Sequence, residues 1–175
     1  QFKQPSSFVE ICTQFRRVGE LLGLEERAEK VIRGAQEKVK AVQAAVADLP
    51  QRRVFLQIGS RPLFGAAKDS FTHDFIALSG AVNIIGEQQH GTVSYEKILM
   101  KNPEVIIIAM MGSESGIAQK EKKKWQGFPI KAVQNNQVHV VSPDLACSPS
   151  PATFAETLSI MAGLIHPELR SRLRR

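Results

Sequence analysis

The sequence predicts an α/β protein: a parallel sheet of about four strands with helices on both faces, preceded by a long helix. Three observations carry this reading. Apolar residues recur with helical spacing through most of the first fifty positions. After Pro50, short β-rich runs alternate with helical patterns, as successive β–α units of a parallel sheet do. One of those runs, Val105-Ile-Ile-Ile-Ala109, is apolar without alternation, which marks a strand buried on both faces. The chain therefore divides into a helical segment over 1–50 and an α/β unit over 51–175.

Taken in order, Ser7-Phe-Val-Glu10 reads as a capping box that opens a first helix. Phe8, Ile11, Phe15, Val18 and Leu22 form its stripe, and Gly23 suits its end. A second helix runs from Glu25 to Pro50, with apolar positions at Ala28, Val31, Ile32, Ala35, Val39, Val42, Val46 and Leu49. About 25 residues at 1.5 Å each make a rod of roughly 37 Å with one narrow apolar stripe. Such a rod lies across a surface, either that of its own domain or as a spacer between two lobes. Strands are expected at Val54–Ile58, Val82–Ile85, Val105–Ala109 and Val138–Val141. Between them fall helices from about Ser70 to Ser79 (stopped by Gly80), from Ser94 to Asn102-Pro103, and from about Ile117 to Trp125. Ser150-Pro151 opens the last helix, carrying Phe154, Leu158, Met161, Ala162 and Ile165, and Pro167 ends it.

Composition excludes several classes. With 175 residues, 43% hydrophobic and 23% charged, the chain is long enough for a sizeable core and is neither low-complexity nor disordered. No apolar run approaches the ~18–20 residues needed to cross a bilayer. The net charge of +6 is local: Lys120–Lys124 and the tail arginines Arg170, Arg172, Arg174 and Arg175 account for it, on a nearly neutral body. No stripe interleaves these charges with aromatics, so no nucleic-acid partner is expected. Cys12 and Cys147 are too few for a disulfide scaffold and lack zinc spacing. They belong to distant segments; buried or inert thiols are the expectation, with pairing in an oxidising compartment the alternative. The chain opens on Gln1 with no secretory apolar region before it, so either a signal peptide has been removed or this is a fragment.

Ligands of such sheets meet the loops at the carboxyl ends of the strands, here Gly59–Asp69, Gly86–Val93, Met110–Ser115 and Ser142–Ser150. Catalytic signatures are missing from them. There is no Gly-x-Gly-x-x-Gly, no P-loop lysine motif and no Gly-x-Ser-x-Gly elbow, and His73, His90, His139 and His166 stand singly. The expectation is a protein that is not an enzyme and has no intrinsic cofactor. The loops instead hold groups suited to a bulky, partly anionic molecule. Arg61 pairs with carboxylates, or is a surface or capping arginine. Phe64 beside it offers a flat apolar face. His90, in a polar loop, ligates a metal, hydrogen-bonds a ligand or does neither. Met110-Met111 packs the core or softens a binding surface. Asp144 accepts from a ligand or forms a turn after Pro143.

These residues fall within a wider pattern. It comprises Val54-Phe-Leu-Gln-Ile-Gly-x-x-Pro-x-Phe64, Ser79-Gly-Ala-Val-Asn-Ile84, Val93-Ser-Tyr-Glu96, Asn102-Pro-Glu-Val-Ile-Ile107, Trp125, Ala132-Val-x-x-x-x-Val138 and Ser148-Pro-Ser-Pro151 followed by His166-Pro167. In order and spacing it resembles the back half of the ABC-importer substrate-binding proteins that carry iron–siderophores, haem or vitamin B12. The resemblance covers roughly residues 8 to 167 and implies two α/β lobes joined by one rigid helix, with the ligand in the cleft between them. The helix up to Pro50 would be the interlobe backbone helix and 51–175 the C-terminal lobe, the N-terminal lobe lying outside this chain.

It further implies ligand-facing positions at Phe64, His90 and Asp144, which join Arg61 and Met111 of the loops as the expected ligand-binding residues, and a permease-docking role for Glu96. A helix-dipole role is the other reading of that glutamate. His90 falls where the vitamin B12 binders place a tryptophan, which favours an iron–siderophore or haem over cobalamin and leaves His90 as the only candidate metal ligand. The implied partners are the transmembrane subunits of an ABC permease and a metal chelate. The implied location is the periplasm, or a lipoprotein anchored outside the cytoplasmic membrane. Without its other lobe, the stripe of Phe8, Ile11 and Phe15 and one face of the long helix would lose their cover and favour a homodimer. A stand-alone α/β regulatory or scaffold module that binds no chelate is the alternative.

Overall fold

The computed structural model describes residues 3–110, 116–142 and 149–169. Its elements follow as α1 (Phe8–Leu22), α2 (Glu25–Val46), β1 (Arg53–Ser60), β2 (Leu63–Gly65), α3 (Phe71–Ala77) and β3 (Val82–Asn83). Then come α4 (Tyr95–Lys101), β4 (Val105–Ile108), α5 (Ile117–Gln126), α6 (Lys131–Gln134), β5 (Val138–Val140) and α7 (Pro151–Ile165).

Parallel pairing joins β1 to β4 along 54–57 and β4 to β5, so β4 is central. The other edge of β1 is shared. β3 pairs with its start in parallel, and β2 pairs with its end as an antiparallel hairpin. The hairpin is a departure from the all-parallel expectation. Val82–Ile85 likewise shrinks to a two-residue strand, because the chain turns at 84–87.

Alternation along β1 and β4 divides the interior into two cores. Val54, Leu56, Val105, Ile107 and Ala109 face one, roofed by α1, α2, α3 and α7. Phe55, Ile106, Ile108 and Met110 face the other, under Ile98 of α4, Trp125 of α5 and Ala132 of α6.

The N-terminal helices are built into the first core. Ser7 Oγ accepts from the Glu10 N–H at 3.2 Å, while the Glu10 carboxylate accepts from the Ser6 N–H and hydroxyl at 2.8 Å. The return half of the capping box thus falls one residue early. Asp74 of α3 supplies a further cap, accepting from the Phe8 N–H at 2.7 Å. Gly23 closes α1 in the left-handed conformation (φ 65°), with Leu24 N–H donating to Gly19 C=O at 2.8 Å. At that corner a Cβ on Gly19 would lie 2.5 Å from Ala28 Cβ, so only glycine lets α2 approach this closely. Arg16 pairs with Glu29 across the two helices. α2 stops at Val46, short of Pro50, and its 22 residues span about 33 Å along α7.

One expectation is corrected here. Phe8 and Ile11 are buried and Phe15 half-buried, because α7 and α3 cover the stripe: Phe8 stacks on Phe154 (4.7 Å) and Phe154 on Phe75 (4.5 Å). The exposed apolar side chains of α1 are Val9, Val18, Leu21 and Leu22, and Cys12 lies in the core with its thiol pushed up by burial. Cys147 and the tail arginines lie outside the described residues.

His166 ends α7 wholly buried; its Nε2 bonds Ser79 C=O at 2.8 Å, and Nδ1 has no hydrogen-bond partner among the described residues. Ser79 C=O can only accept, so Nε2 carries the proton. Burial holds the imidazole below its ordinary 6.5, outweighing the Ser79 bond that favours the charged form. A depressed folded-state value means that the unfolded chain binds the extra proton first as pH falls. Folding stability should therefore drop as pH descends from about 6.5 towards the folded-state value. Thermal melts of the parent and His166→Gln across pH 5 to 8 should diverge in this way, with the variant lacking the acid-side loss.

Candidate functional site

At the carboxyl end of β1 the surface sinks into a depression of about 800 Å³. Ile58 of β1, Phe64 of β2, Ala67 and Phe71 make its apolar wall, and Asp69, Ser70, Gln89 and His90 its polar margin. Pro149, two residues before α7, and Gln4-Pro5 close the remaining sides. The volume suits a ligand of cofactor size.

The wall is shaped by the hairpin and the segment crossing it. Gly65 N–H donates to Gly91 C=O (2.9 Å), Lys68 N–H to Gln88 C=O (3.1 Å) and Val93 N–H to Leu63 C=O (3.0 Å). Residues 88–93 are thus zipped onto 63–68, which brings His90 to the same depression as Phe64. The crossing requires glycine: a Cβ on Gly91 would lie 2.2 Å from Gly65 O and 2.7 Å from the Phe64 ring. Asn83 pins the base. Its Oδ1 accepts from Ile85 N–H at 3.1 Å, so its Nδ2 is the donor to Ala66 C=O (2.8 Å) and to His73 Nδ1 (3.0 Å).

Of the residues expected from the sequence, Phe64 and His90 come together in this wall, Phe64 with 38% of its surface exposed. Arg61 stands exposed at the β1–β2 turn, beside the wall but not in it. Met111 and Asp144 lie outside the described residues. Glu96 is exposed in the first turn of α4, away from the depression. Hydrogen bonds from its own main chain and the Ser94 side chain hold its carboxyl below the ordinary range, and the Lys124 charge adds a smaller pull. Among the described residues, no three His, Cys, Asp or Glu side chains converge as a metal site would require.

Sequence reading missed Gln4, Asp69, Ser70 and Gln89. Ser70 carried only a helix-start signal, which the structure confirms through its Oγ accepting from Thr72 N–H at 3.2 Å. Gln4 precedes every element and carried no signal at all.

Comparison with known proteins bears on this architecture. The family model described as periplasmic binding protein matches residues 1–145. The chain belongs to the periplasmic binding protein family. A vitamin B12-binding protein of Vibrio cholerae is 26% identical over 154 residues, covering 86% of this chain and 54% of that protein. The uncharacterized ABC transporter substrate-binding lipoprotein YvrC of Bacillus subtilis is 24% identical over 168 residues, covering 93% and 52%. This periplasmic binding protein chain thus spans about half the length of the curated relatives it matches. A Listeria monocytogenes ABC transporter substrate-binding protein shares the fold at a TM-score of 0.83 and 19% identity, over 95% of this chain and 67% of the other. Those relatives are binding proteins by name, not enzymes.

Gly91→Ala should be destabilising by about 1–3 kcal/mol, the cost of overpacking against backbone, and should displace Phe64. Gly163→Ala in α7, whose Cβ would meet nothing within 4 Å, should be neutral or slightly stabilising. Urea unfolding of both variants beside the parent checks the contrast.

Proposed function

We propose that the chain supplies the C-terminal lobe and, in α2, the interlobe backbone helix of the substrate-binding component of an ABC importer, with 51–175 as the lobe. The observation that carries the proposal is the depression at the carboxyl edge of the sheet, with Phe64 in its apolar wall and His90 on its polar margin. A second α/β lobe would close the cleft over it. The ligand is a metal chelate. An iron–siderophore or haem is preferred, because a depression lined by both an imidazole and an apolar ring suits an iron complex or an anionic chelate better than a purely apolar one does. Cobalamin is the second reading, favoured by the Vibrio relative's name.

Mechanistically, α2 is one continuous helix braced along α7, so it permits only small lobe movements, and the ligand is held by wall contacts rather than by a large closure. Glu96, exposed, charged and at a helix start, docks against cationic side chains of the permease, chiefly orienting the encounter. The compartment is extracytoplasmic, periplasmic or at a membrane by a lipid anchor, as for the relative named a lipoprotein.

Absorbance and calorimetric titrations of the whole protein with haemin, a ferric hydroxamate, a ferric catecholate and cyanocobalamin test the reading. One class should bind saturably, and Phe64→Ala and His90→Ala should each weaken it about ten-fold or more. Saturable binding by none of them overturns the proposal. Glu96→Lys should leave ligand affinity unchanged while reducing uptake in a strain that depends on this importer.

A further inference from the structure

The second core contains a buried polar network that the ligand wall does not use. Gln57, wholly buried on β1, accepts from the Trp125 indole N–H at 2.6 Å and donates through Nε2 to Glu121 Oε2 at 2.9 Å. The Tyr95 hydroxyl donates to that same Glu121 oxygen at 2.6 Å. Lys124 places its ammonium 3.5 Å from the centre of the Tyr95 ring. Tyr95 is the first residue of α4, and Glu96 is the next. At the other end of the network, Gln57 precedes Ile58, whose side chain leaves β1 on the opposite face and lines the depression. Gln57 Nε2 also reaches Gly59 C=O at 3.2 Å.

A glutamine buried without charge or exposure in a central strand is costly unless each of its polar atoms is used. Here each is: its partners lie on α5 (Glu121 and Trp125), at the end of β1 (Gly59) and just past β4 (Met110 Sδ, 3.5 Å), and Glu121 carries the network on to Tyr95 of α4. Burial, reinforced by Glu121, pushes the Tyr95 phenol well above its ordinary value, so the hydroxyl stays a donor.

We infer that Tyr95, Glu121 and Gln57 are positioning residues for Glu96: they lock the first turn of α4 to the end of β1 that borders the depression. This rests on the docking role given to Glu96 above. The low titration of Glu96 is set chiefly by contacts with its own main chain and with Ser94, with a smaller pull from the Lys124 charge, and the two hydrogen bonds exist only while the first turn is formed. The Ser94 hydroxyl accepts from Lys97 N–H at 3.3 Å in the same turn.

The test needs neither ligand nor permease. Carbon-detected NMR titration of the Glu96 carboxyl and hydrogen exchange at the Lys97 amide are followed in the parent, Tyr95→Phe, Glu121→Leu and Glu121→Gln. Tyr95→Phe keeps the ring against Trp125 and removes one hydroxyl; Glu121→Gln keeps an acceptor oxygen. Tyr95→Phe and Glu121→Leu should raise the Glu96 pKa by about 0.3–0.5 unit as its stabilising contacts fray. They should also speed Lys97 exchange about ten-fold relative to Ile106 in the central strand. Glu121→Gln should behave like the parent. An unchanged Glu96 titration and Lys97 exchange in Tyr95→Phe would overturn the inference and leave the transport reading standing. Unchanged uptake in Glu96→Lys would instead remove the docking role and leave the network's geometry untouched.

Discussion

Burial of β4 on both faces is the constraint on which the other elements depend. Ile106, Ile107 and Ile108 are each wholly buried, and they alternate onto opposite cores. Each is worth about 1.5–3 kcal/mol relative to an exposed side chain. Neither face can be left to water, so helices must cover both. α1, α2, α3 and α7 take one side, and α4, α5 and α6 take the other. Parallel strands need such crossover helices, and β1, β3, β4 and β5 all point their carboxyl ends to one edge of the sheet. The depression forms where that edge meets the β1–β2 hairpin.

The first layer is tied together by few but long-range contacts. Asp74 satisfies an orphan N–H at the start of α1 from 66 positions away, and the Phe8–Phe154–Phe75 stack joins the first, last and third helices. Arg52 pairs with Glu168 at 2.5 Å, holding the segment after α2 to the end of α7. These contacts pack α1 and α2 against elements that follow residue 50. The extended face of α2 remains available along positions such as Val31, which is 37% exposed.

Features set by local chemistry were readable from the sequence. Ser94 and Ser150 cap the helices they were expected to open, Asn102 and Gly80 take the left-handed conformations that end theirs, and Ile117–Trp125 is helical within a residue. What escaped depends on pairing at a distance. β2 has three residues, an alternation too short to register, and a partner across a turn containing Pro62. The stripe on α1 was visible, but nothing in its spacing indicated that Phe154 would cover it. In the candidate site, Phe64 and His90 were picked for their chemistry. Gly91, which brings them together, showed nothing in the sequence to set it apart from any other loop glycine. Gln57 read as a polar interruption in an apolar strand, and its partners lie 64 and 68 positions downstream.

The placement of charge follows from the same architecture. Lys120, Lys123 and Lys124 are exposed because Trp125, on the same helix, is wholly buried and fixes which side of α5 faces inward. That rotation leaves Glu121 at the boundary, the position from which a carboxylate can accept from Gln57 and Tyr95 together. It also sets Lys124 over the Tyr95 ring, where a cation is attracted to the aromatic face. The basic run is therefore one helix oriented by its tryptophan, and its sequence-local excess of positive charge surrounds a single inward carboxylate. Ile58 and Gln57 complete the relation. Adjacent on one strand, they point to opposite sides of the sheet, so the ligand-sized depression and the α4–α5 face are built on the same rigid strand end and differ by one peptide unit.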